Sequence, residues 1–312
     1  MKNPPFENRA SLSRVKLFLA LSRTPHGILD IAAPALCALL WLGTPPSAQV
    51  ILLGLLTAFS GYTAVYALND VVDYGVDRRK FQQGGAAGQA GDLDAVFIRH
   101  PMAQGRLKYA EGIFWSVGWA SLAMLGSYLL NPVCMFIFVA ACLLEVVYCR
   151  LLRVSYLRGI ISGIVKNSGG MAAVLAVEPN PSLIFLGVLF LWFFFWEIGG
   201  QNIPNDWIDL EEDRRMKAQT VPVRFGPKLS IRMLYGSLIL ALIMSVIIFW
   251  VSPAGLGLSY LIGAAFCGFF FLIAPAHRLL KSKTAAEASA MFNRASYYPL
   301  AMLIVTLLSA AF

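Results

Sequence analysis

The chain has 312 residues, of which 58% are hydrophobic and 13% are charged, and its formal net charge is +8. A soluble domain carries about 25% charged residues, and the mean hydropathy of this chain is +0.67. This composition excludes a water-soluble enzyme, a disordered protein and a nucleic-acid-binding module. It indicates an all-α polytopic membrane protein that has the lipid bilayer as a partner.

Apolar runs of about 20 residues are long enough to cross about 30 Å of hydrocarbon as helices. We find nine such runs, which predict nine transmembrane helices in a single domain that covers residues 1–312. Short connectors with proline or glycine follow the odd-numbered runs, and none of them contains lysine or arginine. The predicted spans are 25–43, 50–68, 110–130, 132–151, 158–177, 183–202, 229–251, 255–275 and 293–312.

Basic residues are concentrated in the N-terminal segment and in the connections that follow even-numbered spans. All lysine and arginine residues except Lys166 lie in these segments or at the ends of the spans beside them. By the positive-inside rule, the N-terminus is cytoplasmic and the C-terminus lies outside. We therefore expect an integral protein of a bacterial or archaeal cell membrane, with its basic face against anionic lipid.

A repeated acidic motif is the most informative feature of the chain. Residues 69–79 read Asn-Asp-Val-Val-Asp-Tyr-Gly-Val-Asp-Arg-Arg, and residues 205–215 read Asn-Asp-Trp-Ile-Asp-Leu-Glu-Glu-Asp-Arg-Arg. Each copy follows an even-numbered span and so lies on the cytoplasmic side. The repeat predicts two four-helix halves, at about 20–151 and 158–275, and a ninth helix at 293–312.

The spacing of the motif places three carboxylates on one face of each predicted helix. Like charges this close require a cation between them, and ligands that are all oxygen favour Mg²⁺, with Mn²⁺ as the alternative. Because Mg²⁺ completes its shell with water and phosphate oxygens, the six carboxylates predict a diphosphate ligand. A single motif is more simply a solvated helix end, but two copies argue against that. The carboxylates are those of Asp70, Asp73, Asp77, Asp206, Asp209 and Asp213.

Three further segments accompany the motifs: residues 22–25 (Ser-Arg-Thr-Pro), 99–107 (Arg-His-Pro-Met-Ala-Gln-Gly-Arg-Leu) and 220–226 (Thr-Val-Pro-Val-Arg-Phe-Gly). Together with the motifs they resemble the UbiA superfamily of intramembrane prenyltransferases, of the 4-hydroxybenzoate polyprenyltransferase type. The resemblance covers nearly the whole chain. It implies a nine-helix fold around a central cavity that opens sideways to the lipid. It also implies Mg²⁺-dependent transfer of a polyprenyl group from its diphosphate to an acceptor.

The resemblance also implies roles for individual residues. The implied catalytic residues are Asp70, Asp73, Asp206 and Asp209. The implied metal ligands are Asn69, Asp70, Asp73, Asp77, Asp206, Asp209 and Asp213.

Basic and polar residues near the motifs are candidates for substrate binding. Arg99 and Arg106 are favoured because they fall in the loop that resembles the family, although each basic residue also fits a positive-inside role. The predicted substrate-binding residues are Asn69, Arg23, Arg78, Arg99, Arg106, Lys166, Asn202, Arg214 and Lys217.

Ionisable residues inside spans are functional candidates. Either they line an acceptor pocket or Lys166 pairs with one of the acids as internal structure, and both interpretations stay open; these residues are Lys166, Asp30, Glu145, Tyr66 and Glu197. Residues 82–95 form an insert of small residues that is either a mobile lid or a flexible linker, and its composition favours flexibility.

The leading predicted function is transfer of a polyprenyl group to a small aromatic acceptor of the hydroxybenzoate or hydroxynaphthoate type, in quinone biosynthesis. This acceptor rests on its frequency in the family. Alternatives within the class are a tetrapyrrole, a glycerol phosphate lipid and a sugar phosphate. A transporter is a second class, but the motifs lie on one face of the membrane, which favours one-sided chemistry. An inactive scaffold is a third, and the intact aspartates argue against it.

Overall fold

The computed structural model describes residues 12–83 and 92–310, and within them it contains fifteen α-helices and no β-strand. The all-α class is therefore confirmed. Eight helical segments are long and apolar enough to cross a membrane. The chain is accordingly an integral membrane protein.

Most of the helices follow one another with short connections, and the long exception covers residues 83–108. In chain order they are α1 (Arg14–Leu21), α2 (Thr24–Asp30), α3 (Ala32–Leu42), α4 (Ala48–Gln82), α5 (Tyr109–Leu130), α6 (Pro132–Arg150), α7 (Arg158–Val177), α8 (Leu183–Trp196), α9 (Ile203–Ile208), α10 (Leu210–Arg215), α11 (Val221–Val251), α12 (Leu258–Cys267), α13 (Ala274–Ser282), α14 (Ala285–Ser296) and α15 (Tyr298–Ala310). Two π-helical segments join α8 to α9 and α12 to α13; they are Glu197–Asn202 and Gly268–Ile273.

The first eight predicted spans each have a counterpart; the ends of the fifth, 158–177, agree with the structure, and those of the others are shifted at one or both ends. The first consists of α2 and α3, which meet at Ile31. The ninth is interrupted at Tyr297, and its described helix, α15, has 13 residues. The count of nine is therefore not confirmed by helix length, and the division into two halves stays a prediction.

Helix α4 determines where the first motif lies. Its 35 residues make it about 52 Å long at about 1.5 Å per residue, which exceeds the hydrocarbon thickness of about 30 Å. It begins where the Ser47 side chain accepts a hydrogen bond from the backbone N–H of Val50 (3.4 Å). Its last turns continue past the apolar run at 50–68 and carry the motif beyond it.

At the end of the bundle opposite the first motif, the helices are joined by tight connections. Gly43 ends α3 with a φ of 72°, and a Cβ there would lie 3.1 Å from the backbone of Ala254. Asn131 caps α6 by accepting a hydrogen bond from the backbone N–H of Val133 (2.9 Å). These turns agree with the proline and glycine connectors of the sequence.

The main hydrophobic core lies between α8, α11, α12 and α15. Trp192 is fully buried, and its indole donates a hydrogen bond to the hydroxyl of Tyr298 (3.2 Å). The indole of Trp196 donates to the carbonyl of Ala295 (3.1 Å). Satisfying these two indoles inside apolar surroundings fixes the helices that support the second motif.

A smaller core holds the loop between α4 and α5. Ile98, Met102 and Leu107 of the loop are buried against Leu17 and Leu21 of α1. Because this loop contains Arg99 and His100, its apolar anchors fix where those two basic side chains lie.

A cavity of about 510 Å³ runs between α2, α3, α4, α6, α7 and the segment from α8 to α10. The end of the cavity that holds both acidic motifs is called the motif end. Lys80 and Asp213 line it there, while Pro45, Pro46 and Val50 line it at the opposite end.

Candidate active site

The first motif presents one face of α4 to the cavity. The spacing predicts Asp70, Asp73 and Asp77 on one face, and of these Asp73 and Asp77 are on the cavity wall together with Asn69. Asp70 is buried, with 3% of its surface exposed, and lies behind the wall beside Arg23 and His100. Three of the four residues thus face the cavity, whereas Asp70 contacts the basic side chains around it.

The second motif is not on one continuous helix, which corrects the single helix face expected from its spacing. Asp206 lies in α9, Asp209 lies at the junction, and Asp213 lies in α10. Pro204 at the start of α9 has no N–H to donate, which suits the wide π-helical turn before it. The three carboxylates nevertheless all line the cavity.

The two motifs face each other across this cavity. Lys80, the residue that follows the first motif on α4, donates a hydrogen bond to Asp213 of the second (3.2 Å). Arg99 of the α4–α5 loop makes two parallel hydrogen bonds with Asp209, both of 2.8 Å. Burial would raise the pKa of Asp209, but Arg99 and Lys80 outweigh it and lower that pKa. The second motif is thus held by cations from the first half of the chain.

His100 lies between two carboxylates of the first motif. Its Nδ1 is 3.1 Å from Asp70 and 3.1 Å from Asp77. Burial disfavours the imidazolium, but the two carboxylates outweigh it and raise the pKa of His100. The residue has a φ of 51°, an uncommon backbone conformation for a side chain of this size that the surrounding contacts must hold.

Arg23 connects the first motif to the end of the insert. It donates hydrogen bonds to Asn69 (3.2 Å), Asp70 (3.3 Å) and Asp94 (3.1 Å). Asp94 is also 2.6 Å from Nδ1 of His26. Burial acts to raise the pKa of Asp94, yet Arg23 and His26 outweigh it and lower that pKa strongly. The composition of the insert did not reveal this anchored end, and residues 84–91 lie outside the described part of the chain.

Four predicted substrate-binding residues are exposed and lie away from the cavity wall. Arg78 donates a hydrogen bond to Tyr74 (3.0 Å), and Arg214 pairs with Glu211 (2.9 Å). Arg106 and Lys217 are exposed as well. The lining does include Arg23, Arg99, Lys166 and Asn202.

A polar cluster lies deeper in the cavity. Lys166 donates hydrogen bonds to Asp30 (2.7 Å) and to the hydroxyl of Tyr66 (3.0 Å), and this hydroxyl donates to Asp30 (2.5 Å). Glu197 accepts a hydrogen bond from Ser162 (2.8 Å). Lys166, Tyr66 and Glu197 line the cavity. Lys166 and Tyr66 therefore lie on the cavity wall and are also hydrogen-bonded within the cluster.

Glu145, a candidate from the sequence because it is an acid inside a span, accepts a hydrogen bond from the Asn69 amide (2.6 Å), which orients that amide. Sequence analysis missed Lys80, His100 and Arg158, which looked like ordinary residues of basic loops. Three-dimensional proximity, rather than spacing, brings them to the cavity.

The donor set fits Mg²⁺, because it consists of carboxylate and amide oxygens on two facing elements. Asp70 and Asp77, with His100, each offer a ligand atom within 4.8 Å of the others. Asn69, Asp73 and the carboxylates of the second motif face the same hollow. A hard divalent ion and an anionic group are therefore the ligands that this site can hold.

Comparison with known proteins identifies relatives over most of the chain. The model of the UbiA prenyltransferase family matches residues 31–298. Digeranylgeranylglyceryl phosphate synthases of Methanosarcina mazei and Methanosarcina barkeri are 28% identical over 201 residues and 30% identical over 203 residues. Each alignment covers 64% of this chain and 68% of the relative.

Solved structures agree on the fold. An apo UbiA homologue from Aeropyrum pernix has a TM-score of 0.71 at 16% identity, covering 91% of this chain and 97% of its own. A UbiA homologue from Archaeoglobus fulgidus, bound to DMAPP and Mg²⁺, has a TM-score of 0.65 at 14% identity, covering 92% and 99%. With its paired acidic motifs around one cavity, the chain belongs to the UbiA prenyltransferase family.

Proposed function

We propose that this prenyltransferase transfers a polyprenyl group from its diphosphate to the hydroxyl of a glycerol phosphate lipid. The observation that carries the acceptor is the similarity to two synthases whose product is digeranylgeranylglyceryl phosphate. The aromatic acceptor and the role in quinone biosynthesis, expected from family frequency, have no support from these relatives.

The motif end is the proposed diphosphate site. Mg²⁺ held by Asn69 and the motif aspartates would neutralise the leaving diphosphate, and the homologue bound to DMAPP and Mg²⁺ supports this ion. Arg23, Arg99 and Lys80 add fixed positive charge around the same carboxylates. They attract the diphosphate and limit the repulsion that six carboxylates would otherwise exert on it.

The remainder of the cavity is the proposed place of the prenyl chain. Val50 and Lys80 both line it and lie thirty residues apart on α4, which corresponds to about 45 Å along the helix. Apolar side chains form most of the wall between them. They exclude water from the allylic carbon and so prevent hydrolysis in place of transfer.

In the proposed reaction, the acceptor hydroxyl oxygen bonds to C1 of the prenyl group as the bond from C1 to the diphosphate oxygen breaks. The diphosphate leaves with the electron pair, and the hydroxyl loses its proton. We assign the proton to Glu145, a buried carboxylate on the cavity wall beside Asn69. Its position next to the first motif places it near the carbon that reacts.

The test is an acceptor screen with purified protein, a panel of prenyl diphosphates and Mg²⁺, followed by mass spectrometry. A monoprenylated glyceryl phosphate is expected to gain one prenyl group, whereas 4-hydroxybenzoate is expected to remain unmodified. EDTA is expected to abolish turnover. Prenylation of the aromatic acid alone would contradict the proposed acceptor, and full turnover in EDTA would contradict the metal.

A further inference from the structure

Arg158, the first residue of α7, is an unusual cation on the cavity wall. Its side chain is 8% exposed, and its nearest carboxylate oxygen is Oδ1 of Asp206, 3.7 Å from Nη1. This distance is too long for a hydrogen bond. Its Nε is buried without a hydrogen-bond partner among the described residues. The Nε of Arg99 also lacks a partner among those residues, but the two Nη atoms of Arg99 each donate a hydrogen bond of 2.8 Å to Asp209.

The planar guanidinium of Arg158 is held by stacking on an aromatic ring rather than by hydrogen bonds from its N–H groups. Its central carbon lies 4.0 Å from the centre of the Tyr148 ring, and Tyr148 also lines the cavity. Such stacking fixes the plane of a guanidinium and leaves its N–H groups free. The start of the 20-residue helix α7 adds the positive end of a helix dipole at the same place.

Burying a cation without hydrogen-bonded partners is costly, so this arrangement suits a ligand that supplies the acceptors. A guanidinium offers five N–H donors in a rigid fork that matches the oxygens of a phosphate group. Asp206 belongs to the second motif, so Arg158 lies beside the proposed diphosphate site.

We propose that Arg158 is a substrate-binding residue that holds a phosphate group inside the cavity. The phosphate belongs either to the diphosphate of the prenyl donor or to the head group of the acceptor, and the second source rests on the proposed function. Sequence alone assigned Arg158 to the positively charged connections, because its burial against Tyr148 is visible only in three dimensions.

The experiment measures binding of two probes to purified protein by calorimetry: inorganic pyrophosphate with Mg²⁺, and glycerol 1-phosphate. Arg158→Gln is expected to weaken at least one of them by about 10- to 100-fold, the range for a lost hydrogen bond to a charged group. Arg158→Lys is expected to recover part of the loss, because it keeps the charge without the fork. Arg150→Gln is the matched control, since Arg150 is the last residue of α6, at the other end of the connection that precedes Arg158, and is exposed.

The two probes separate the possible sources. Weaker binding of pyrophosphate alone assigns Arg158 to the donor, and weaker binding of glycerol 1-phosphate alone assigns it to the acceptor. Affinities of Arg158→Gln within twofold of the Arg150→Gln control for both probes would overturn the proposal, as would a wild-type protein that binds neither. If Arg158→Gln does not fold, the affinity of Arg158→Lys for the two probes decides. A reduced affinity supports the proposal, and an unchanged affinity overturns it. Loss of pyrophosphate binding supports Arg158 even where the glycerol phosphate acceptor fails in the screen.

Discussion

At the scale of single residues, the acidic motifs are balanced by cations that come from separate parts of the chain. Asp209 pairs with Arg99 of the loop, and Asp213 pairs with Lys80 of α4. The sequence predicted the aspartates, because their spacing repeats within a short stretch. It did not predict their partners, because each pair joins residues more than a hundred positions apart.

Asp209→Asn tests the pairing with Arg99. The change removes the charge that compensates a largely buried guanidinium, so we expect a loss of about 3 kcal/mol in stability. It also removes a proposed metal ligand, so turnover is expected to fall at least about 100-fold. Thermal unfolding followed by tryptophan fluorescence and the prenyl transfer assay measure the two effects. The control is Glu211→Gln, whose exposed side chain pairs with Arg214 at the surface. An equal effect there would contradict the prediction.

Glu145→Gln tests the proton acceptor. Glutamine still accepts the hydrogen bond from Asn69 through its carbonyl oxygen, but it cannot take up a proton. We expect kcat to fall by about 10²- to 10⁴-fold, the usual contribution of a general base, with little change in the KM of the prenyl diphosphate. Glu197→Gln, the other glutamate on the cavity wall, is the comparison. If Glu197→Gln lost the activity and Glu145→Gln kept it, the proton would have to be assigned to Glu197.

At the scale of helices, the sequence predicted where helices occur better than where they end. The apolar run at 50–68 marks α4, but the helix continues to Gln82 because its polar turns lie beyond the membrane core. The second motif was expected on one helix, and a π-helical segment and a junction at Asp209 interrupt it. Hydropathy indicates which segments lie in lipid. It does not indicate where a helix is interrupted, because the interruptions in the second motif depend on Pro204 and on tertiary packing.

The π-helical segment before the second motif is closely packed. A Cβ on Gly199 would lie 2.9 Å from the backbone carbonyl oxygen of Leu234 and 3.0 Å from the Cβ of Ser237. Because a backbone atom cannot rotate away, Gly199→Ala is expected to displace the segment, lowering stability by about 1–3 kcal/mol and reducing turnover. Gly187→Ala on α8 is the control, since no atom lies within 4 Å of its Cβ position. Equal melting temperatures for the two variants would refute this packing argument.

At the scale of the whole molecule, α14 and α15 together extend from one end of the bundle to the other. Asn293 of α14 accepts a hydrogen bond from the backbone N–H of Leu93, near the motif end (3.1 Å). Ser309 of α15 accepts one from the backbone N–H of Gly257, in the turn between α11 and α12 (3.1 Å). We therefore infer a ninth crossing, divided between two helices at Tyr297.

This inference predicts that the two termini lie on opposite sides of the membrane. A phosphatase fused to the C-terminus is expected to be active outside the cytoplasm, and a phosphatase inserted in the α6–α7 connection is expected to be inactive. The basic residues of that connection and of the motif end give the direction, because positive loops remain in the cytoplasm. A fluorescent C-terminal fusion of the type that folds only in the cytoplasm would show that α15 does not cross.

The length of the central cavity has a consequence for donor choice. Beyond Lys166, the wall towards Pro45 and Pro46 contains no charged residue within the described ranges, so no charge there stops an isoprenoid tail. A tail too long for the hollow gains as much from lipid as from the protein, because both surroundings are apolar. We therefore expect the enzyme to accept isoprenoid donors that differ in the number of repeating units.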